Sequence, residues 1–485
     1  MKIRSVLRPA TALLVTVAAL ALVACGDRPY HQTDYNFAGR VTPPSQLDYR
    51  VAITVTGSGI AGTGGSMEIV DALRDIRYSV FNVNQTFRIS GFAFANATRI
   101  FSYPEQQIAF VYNYTSQNQA TINTVDYGKE QSVGQAASLG SKVSDVFVPS
   151  DGAYVYAAQE TTGTFIVSDR TALKSANAEG VNYNLSLPGV YKIAVNPSHT
   201  VVLAMVRNSN QLYRLIKLNT EQTPPANAVS CMPASLPLYC VVPVPGTYDR
   251  PVYGYFSLDG AQVYVLNCGV ECGGATTSVS TLNTSALRVD NYDTTTSPVR
   301  SNTLVPGATV AIADGNTLYV AGQQLLQDGM MSGVLSSINT VTGAVGGPWN
   351  ISDGTHTKML FADDNTLWIG SQNCASGERY KTKANYNCLT RFDRGSNTPS
   401  IVPAVNPNSG TATVPYPNTN GDQYYYGSLT GICWIQNFHK IYTAYGGQVH
   451  IFNTKDGSEI NNYNVTVQGT ALDVAYPDAA TNAAN

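Results

Sequence analysis

Short apolar strands alternate with polar turns along almost the whole chain after residue 45. The most regular element is a mostly apolar run of five residues that ends in Asp or Asn. It occurs eight times, at Met67–Asp71, Ile122–Asp126, Phe165–Asp169, Leu215–Asn219, Val279–Asn283, Leu335–Asn339, Leu389–Asp393 and Val449–Asn453. Successive copies lie 43 to 64 residues apart, a spacing typical of a supersecondary repeat with variable loops. Asp or Asn at this place can close the next turn through its own side chain.

Most repeats carry a second apolar strand upstream of this run, preceded by a turn. Tyr154–Ala157 and Leu318–Ala321 are strands of this kind, and Pro149–Gly152 is such a turn. Another strand precedes the turn, and a fourth follows the Asp or Asn, as at Asn182–Ser186. Strands joined in this order by tight turns form an antiparallel meander. Four antiparallel strands per repeat predict an all-β fold made of propeller blades.

The two ends of the repeat region complement each other. Residues 49–90 have the pattern of the second, third and fourth strands of a blade, whereas Leu472–Asp478 has that of a first strand and its turn. Pairing between them would close the ring and remove an exposed sheet edge. We therefore predict an eight-bladed β-propeller over residues 46–478. The alternative is seven blades with a separate N-terminal strand segment.

The repeats resemble the YVTN type of β-propeller repeat found in bacterial and archaeal surface proteins. That family has the pattern Ser-Pro-Asp-Gly, Tyr-Val-Thr-Asn and Val-Ile-Asp, and Phe110–Asn113 stands here where the family has Tyr-Val-Thr-Asn. The resemblance covers nearly all of residues 46–478. It implies the propeller fold but no single activity, because such repeats serve unrelated functions.

Residues 1–24 have the three parts of a secretory signal peptide. A basic start is followed by an apolar run from Ala10 to Val23 and by the boundary Leu-Val-Ala-Cys25. The apolar run is shorter than the roughly 20 residues of a transmembrane helix. The boundary resembles the bacterial lipobox, which implies that Cys25 becomes the lipid-bearing first residue of the mature protein. By the same resemblance, Gly26 in place of Asp implies transport to the outer membrane.

Lipid on Cys25 would anchor the protein durably, since a lipoprotein carries several acyl chains. Residues 25–45 are then a lipidated tether that reaches at most about 70 Å, and residues 479–485 are a disordered tail. The expected location is the cell envelope, on either face of the outer membrane.

Composition narrows the possible partners. Charged residues make up 13% of the chain, the formal net charge is −3, and there is no block of like charge. Nothing therefore indicates binding of nucleic acid or of an anionic membrane surface. The 30 Tyr and 41 Gly residues fit a chain of strands and turns.

Seven cysteines follow Cys25, and an exported location permits disulfides. Their spacing suggests three local pairs: Cys231 with Cys240, Cys268 with Cys272, and Cys374 with Cys388. Cys433 is left without a partner in this scheme. A free cysteine is usually buried and behaves as a small apolar residue, and we expect this of Cys433. The five histidines lack metal-ligand spacing, and residues 418–422 resemble a calcium loop only in part, because its distal Glu is absent. No metal or cofactor is predicted.

The longest insertion is the place to look for binding, since loops carry function on rigid scaffolds. It spans residues 395–429 and contains Tyr424, Tyr425 and Tyr426, whose rings would contact a sugar or a protein, or else pack on the blades. No nucleophile elbow, phosphate loop or haem-attachment motif occurs. We predict a module that binds or scaffolds a protein or glycan. The alternative is a lactonase-like hydrolase or quinoprotein-like oxidoreductase with a site at the central channel.

Overall fold

The computed structural model describes most of the chain after residue 38. The described residues are 39–57, 65–77, 88–89, 92, 96–171, 180–219, 221–232, 238–374, 387–403, 426–460, 465 and 467–482. Cys25, Tyr424 and Tyr425 lie outside them. Within these ranges no helix has the length and apolar character needed to cross a membrane.

Eight antiparallel sheets follow one another along the chain as the blades of a propeller, which confirms the predicted fold class and blade number. The alternative with seven blades is wrong. Blade 1 consists of Arg50–Val55, Ser66–Asp71, Ile76–Arg77 and Arg88–Ile89 together with Ala471–Ala475, and blade 2 of Asn96–Tyr103, Ile108–Tyr114, Gln119–Asp126 and Gln131–Ser141. Blade 3 consists of Asp145–Phe147, Tyr154–Gln159, Thr164–Asp169 and Val181–Ser186. Blade 4 consists of Val190–Val195, Val202–Val206, Leu212–Leu218, Ser230–Met232 and Leu238–Pro243.

The second half of the ring is built in the same way. The strands of blades 5 to 8 are Pro251–Phe256, Gln262–Asn267, Ser278–Asn283, Val299–Leu304; Val310–Asp314, Thr317–Leu325, Met331–Asn339, Val345–Asn350; Thr355–Ala362, Thr366–Gln372, Leu389–Asp393, Thr398–Val402; and Leu429–Ile435, Lys440–Tyr445, Gln448–Asn453. Three short 3₁₀ helices, Pro104–Gln106, Gly269–Cys272 and Thr284–Leu287, lie in connections among the described residues.

The Asp or Asn that marks each repeat acts as expected. All eight close the turn after the third strand, because their side-chain oxygens accept backbone N–H groups two or three residues later. The bond from Leu73 N to Asp71 Oδ1 is 2.9 Å long, and that from Lys455 N to Asn453 Oδ1 is also 2.9 Å. The repeat signature is therefore a turn-closing device that ends each third strand.

Blade 1 is assembled from both ends of the chain, as predicted. Ala471–Ala475 pairs antiparallel with Arg50–Val55 and supplies the first strand of the blade. Contacts continue past this strand: Ala479 is buried, and Asn482 Nδ2 donates to Gln106 Oε1 at 3.0 Å. The segment expected to form a tail thus contacts the propeller as far as residue 482.

The cores lie between neighbouring blades. Val51, Ile53 and Val474 of blade 1 share one buried cluster with Tyr442 and Ile451 of blade 8. Burial of such side chains contributes roughly 1.5–3 kcal/mol each. The first strand of every blade is the innermost, and first strands of neighbouring blades contact each other around the axis.

Candidate functional site at the central channel

The ring has two different ends. One, which we call the loop end, carries the connections from second to third strands and from each blade to the next. The other, the turn end, carries the connections from first to second and from third to fourth strands. Two of the disulfide-linked loops, Cys268–Cys272 and Cys374–Cys388, join second to third strands at the loop end. The longest connection, residues 403–428 between blades 7 and 8, begins and ends at the same end.

The three predicted cysteine pairs are disulfide-bonded. Cys231–Cys240 lies elsewhere, between the two outermost strands of blade 4. Each of the two bonds at the loop end closes its connection covalently, which reduces the entropy of the unfolded chain.

Inner strands bring one residue from each blade to the same level of the channel. Six of these strands shift register against their second strands, and the next residue after the shift is Arg99, Lys192, Tyr253, Lys358, Gly431 or Asp473. In the other two strands pairing begins at this place, with Asp145 and Val310. We call these eight residues the channel belt. It lies in the half of the channel nearer the loop end.

Arg99 and Asp145 form an ion pair between blades 2 and 3. Arg99 Nη1 donates to Asp145 Oδ1 at 2.7 Å, and its guanidinium carbon lies 4.7 Å from the centre of the Phe101 ring. Asp145 Oδ2 accepts the backbone N–H of Ile193 in blade 4 at 3.1 Å. Both oxygens of this carboxylate are thus engaged, and one side chain links three blades.

Asp473 occupies the corresponding place in blade 1. Its Oδ2 accepts the N–H of Ile100 at 2.9 Å, while Oδ1 accepts the N–H of Val474 at 3.1 Å and lies 3.4 Å from Lys358 Nζ. Lys358 belongs to blade 7, so this contact passes blade 8 at Gly431. A Cβ at Gly431 would lie 2.5 Å from Asp473 Oδ1, and glycine therefore leaves the space that the pair uses.

The only histidine on the described inner strands is unsuited to acid–base chemistry. His356 is buried, and its Nε2 donates to the Ser352 carbonyl at 2.8 Å. Burial lowers the pKa of His356 to about 4, so the ring is neutral at physiological pH. Among the described residues no group of three or more His, Cys, Asp or Glu side chains has the arrangement of a metal site.

Tyr426 lies inside the protein, between blades 7 and 8. Its hydroxyl donates to Glu459 Oε2 at 2.8 Å, and its ring stacks on His450 with 4.5 Å between centres. His450 Nδ1 contacts the other oxygen of Glu459 at 2.6 Å. Burial, followed by the charge of Glu459, raises the pKa of Tyr426. This residue fixes the end of the long insertion to the blades, and binding through Tyr424 and Tyr425 stays a prediction.

Cys433 is the free cysteine among the described residues and is buried in the inner strand of blade 8. Burial, reinforced by the charge of Asp473, raises the pKa of its thiol. We expect iodoacetamide to leave Cys433 unmodified in the native protein, because the thiolate is the reactive form. After denaturation without reductant, mass spectrometry is expected to find it alkylated. Alkylation of the native protein at the rate of the denatured chain would contradict this placement.

The channel belt was not foreseen from the sequence. Its positions hold Asp, Arg, Lys, Tyr, Val and Gly, so they share no residue type that a search for repeats detects. Only the strand pairing in the structure aligns them, through the register shift in six inner strands and the start of pairing in the other two.

Comparison with known proteins shows the fold alone. No protein-family model and no curated protein matches the chain. The dihydro-heme d1 dehydrogenase NirN, solved with DHE, is similar with a TM-score of 0.50 and 12% identity over 90% of this chain and 77% of its own. A putative 6-phosphogluconolactonase from Bacteroides uniformis has a TM-score of 0.43 and 12% identity over 88% of this chain and 99% of its own. The periplasmic gluconolactonase PpgL of Pseudomonas aeruginosa has a TM-score of 0.42 and 14% identity over 88% and 98%.

Proposed function

We propose that this protein is a lipoprotein of the YVTN-repeat propeller type, anchored in the bacterial envelope through lipid on Cys25, that binds a protein or glycan partner through its loop end. The observation that carries the proposal is that the longest connection and two disulfide-linked loops all begin and end at one end of the ring. Loops held by a rigid scaffold are where binding residues concentrate.

The path of the N-terminal segment supports an orientation in which the loop end faces away from the membrane. Arg40 Nη2 donates to the Ala479 carbonyl at 2.7 Å, and the Ser45 N–H donates to Glu130 Oε2 at 2.7 Å. Ala479 follows the first strand of blade 1, and Glu130 lies between the third and fourth strands of blade 2, so both are at the turn end. The span from Cys25 to Arg40 extends at most about 50 Å. A lipid on Cys25 would thus hold the turn end towards the membrane and the loop end away from it.

The hydrogen bonds that the channel carboxylates already accept favour a binding role over a catalytic one. A general acid or base must reach its substrate with a free oxygen. Each oxygen of Asp145 and Asp473 instead accepts a hydrogen bond from an arginine, a lysine or a backbone N–H. Asp314, the remaining carboxylate on the described inner strands, lies at the turn end and pairs with Arg394.

Anchoring is tested by fatty-acid labelling together with membrane fractionation. We expect the full chain to incorporate labelled fatty acid, to sediment with membranes and to be released by detergent, whereas Cys25→Ala incorporates no label. The reason is that several acyl chains on Cys25 bind a bilayer durably and alanine offers no thiol to acylate. Absence of label from the unmodified protein, or equal labelling of both proteins, would contradict lipid anchoring.

Partner binding is tested by photo-crosslinking in intact envelopes. A crosslinking amino acid is placed at Thr162 or Asp328, which are exposed at the loop end, or at the matched exposed positions Leu258 and Val341 of the turn end. We expect a discrete crosslinked protein or glycan from the loop-end positions and none from the turn-end positions. Crosslinking from the turn end alone, or equally from both ends, would overturn the proposed binding surface.

A further inference from the structure

Asp145 and Phe101 hold the Arg99 side chain in place, but not all of its hydrogen-bond donors are used. One nitrogen is bound by Asp145, the guanidinium packs over the Phe101 ring, and 43% of the side chain is exposed. Its Nε and Nη2 groups make no hydrogen bond with any other described residue. A guanidinium fixed in this way presents donors whose orientation is already set, which lowers the entropy lost when an anion binds.

Tyr253 adds a second donor. Tyr253 lies at the belt position of blade 5, next in belt order to Lys192 of blade 4. Burial raises the pKa of Tyr253 to about 12. The hydroxyl therefore keeps its proton at physiological pH. It makes no hydrogen bond within the part of the chain that the structure describes, so it is available to donate.

The belt contains one more cationic side chain than it has carboxylates. Arg99, Lys192 and Lys358 supply three cations, and Asp145 and Asp473 supply two anions. The two ion pairs account for Arg99 and Lys358. Lys192 is half-buried, stands next to Asp145 in belt order, and has no ion-pair partner among the described residues. A single negative charge would balance the belt.

We propose that the channel belt binds the carboxylate of a small organic acid, with Arg99 as its anchor and Tyr253 and Lys192 as further donors. Phe147 is partly buried and packs edge-to-face on Phe101, the ring over which the Arg99 guanidinium lies, so it would contact an apolar body attached to that carboxylate. A monocarboxylate fits one excess charge, whereas a phosphate dianion would leave the belt negative. The site is separate from the loop surface and does not depend on partner binding.

The test uses 3-phenylpropionate as the probe, with the full-length protein and titration calorimetry at low ionic strength. We expect saturable binding of one equivalent, and binding at least roughly tenfold weaker for the isosteric 3-phenylpropanamide, because a charge-assisted hydrogen bond to Arg99 is lost. Inorganic phosphate is titrated in parallel. No measurable binding of the carboxylate, equal binding of the amide, or tighter binding of phosphate would each overturn the proposal.

Three variants locate the site. Arg99→Met is expected to abolish binding, and Tyr253→Phe and Lys192→Met to weaken it by roughly five- to tenfold each. The last two break no ion pair of the described residues and should fold normally, which near-UV circular dichroism checks. Lys142→Met is the matched control, since Lys142 packs over Tyr114 outside the belt. Unchanged affinity in both Tyr253→Phe and Lys192→Met would refute the site.

Discussion

Replacing Arg50 by Leu is expected to lower the free energy of unfolding by about 3–5 kcal/mol. The Arg50 side chain is 1% exposed; its Nη2 and Nε donate to Asp478 at 2.6 and 3.0 Å, and its Nη1 lies 3.0 Å from Glu130 Oε1. Without the guanidinium, two buried carboxylates lose the cation that makes their burial tolerable. Urea denaturation of the mature protein with intact disulfides measures the change.

Arg288→Leu is the matched control for this experiment. Arg288 pairs with Asp290 at 2.8 Å, but both side chains are largely exposed, and exposed pairs contribute little to stability. We expect the control to unfold at the same urea concentration as the unmodified protein. If Arg50→Leu matched Arg288→Leu, the pair with Asp478 and Glu130 would have no special role in holding the ring closed.

The position of Arg50 explains why a buried ion pair is useful there. Its bond to Asp478 joins residues 428 positions apart. Closing a loop of that length costs roughly 5 kcal/mol in chain entropy beyond a constant. Hairpin pairing within a blade has no comparable cost, because its strands are neighbours in sequence. Blade 1 is therefore the seam of the ring, and directional buried contacts stabilise it in addition to apolar packing.

The parts of the fold that depend on local pattern could be predicted from the sequence. The Asp and Asn residues that end the third strands, such as Asp71 and Asn453, repeat because every blade needs the same turn. Closure could be predicted for a similar reason, since Leu472–Asp478 has the pattern of a first strand without its blade. Cysteines 4 to 14 positions apart also predicted their own partners.

The channel belt could not be predicted in this way, because its chemistry arises between blades. Arg99 and Asp145 come from different repeats, and the contact of Lys358 with Asp473 passes a third blade at Gly431. A repeat aligned by its apolar positions places no constraint on these side chains. For Tyr426 the sequence pointed to the right segment but could not show where the side chain lies. Only its packing against His450 and Glu459 shows that Tyr426 is buried.

Lys440→Leu is expected to have the second large effect, again about 3–5 kcal/mol in the free energy of unfolding at pH 7.5. Lys440 Nζ lies 2.8 Å from each carboxylate oxygen of Asp75 and donates to the Ala72 carbonyl at 2.9 Å. The Tyr442 hydroxyl donates to the same carboxylate at 2.6 Å. These contacts join blade 8 to blade 1 on the other side of the seam, and the substitution leaves Asp75 buried without its cation.

The loss of stability caused by Lys440→Leu should depend on pH, and the burial of Asp75 determines whether the loss grows or shrinks as the pH rises. Burial raises the pKa of Asp75 above its ordinary value, while Lys440 and Tyr442 lower it, so removal of the lysine raises it further. A carboxyl whose pKa is higher in the folded than in the unfolded state stabilises the fold at acidic pH and loses this contribution as pH rises. The variant is therefore expected to lie closer in stability to the unmodified protein at pH 5 than at pH 7.5. Lys440→Leu combined with Asp75→Asn should remove this additional pH dependence, because the carboxyl that causes it is absent. A deficit for Lys440→Leu that is the same at both pH values would show that the lost packing of the lysine, rather than the stranded charge of Asp75, causes the instability.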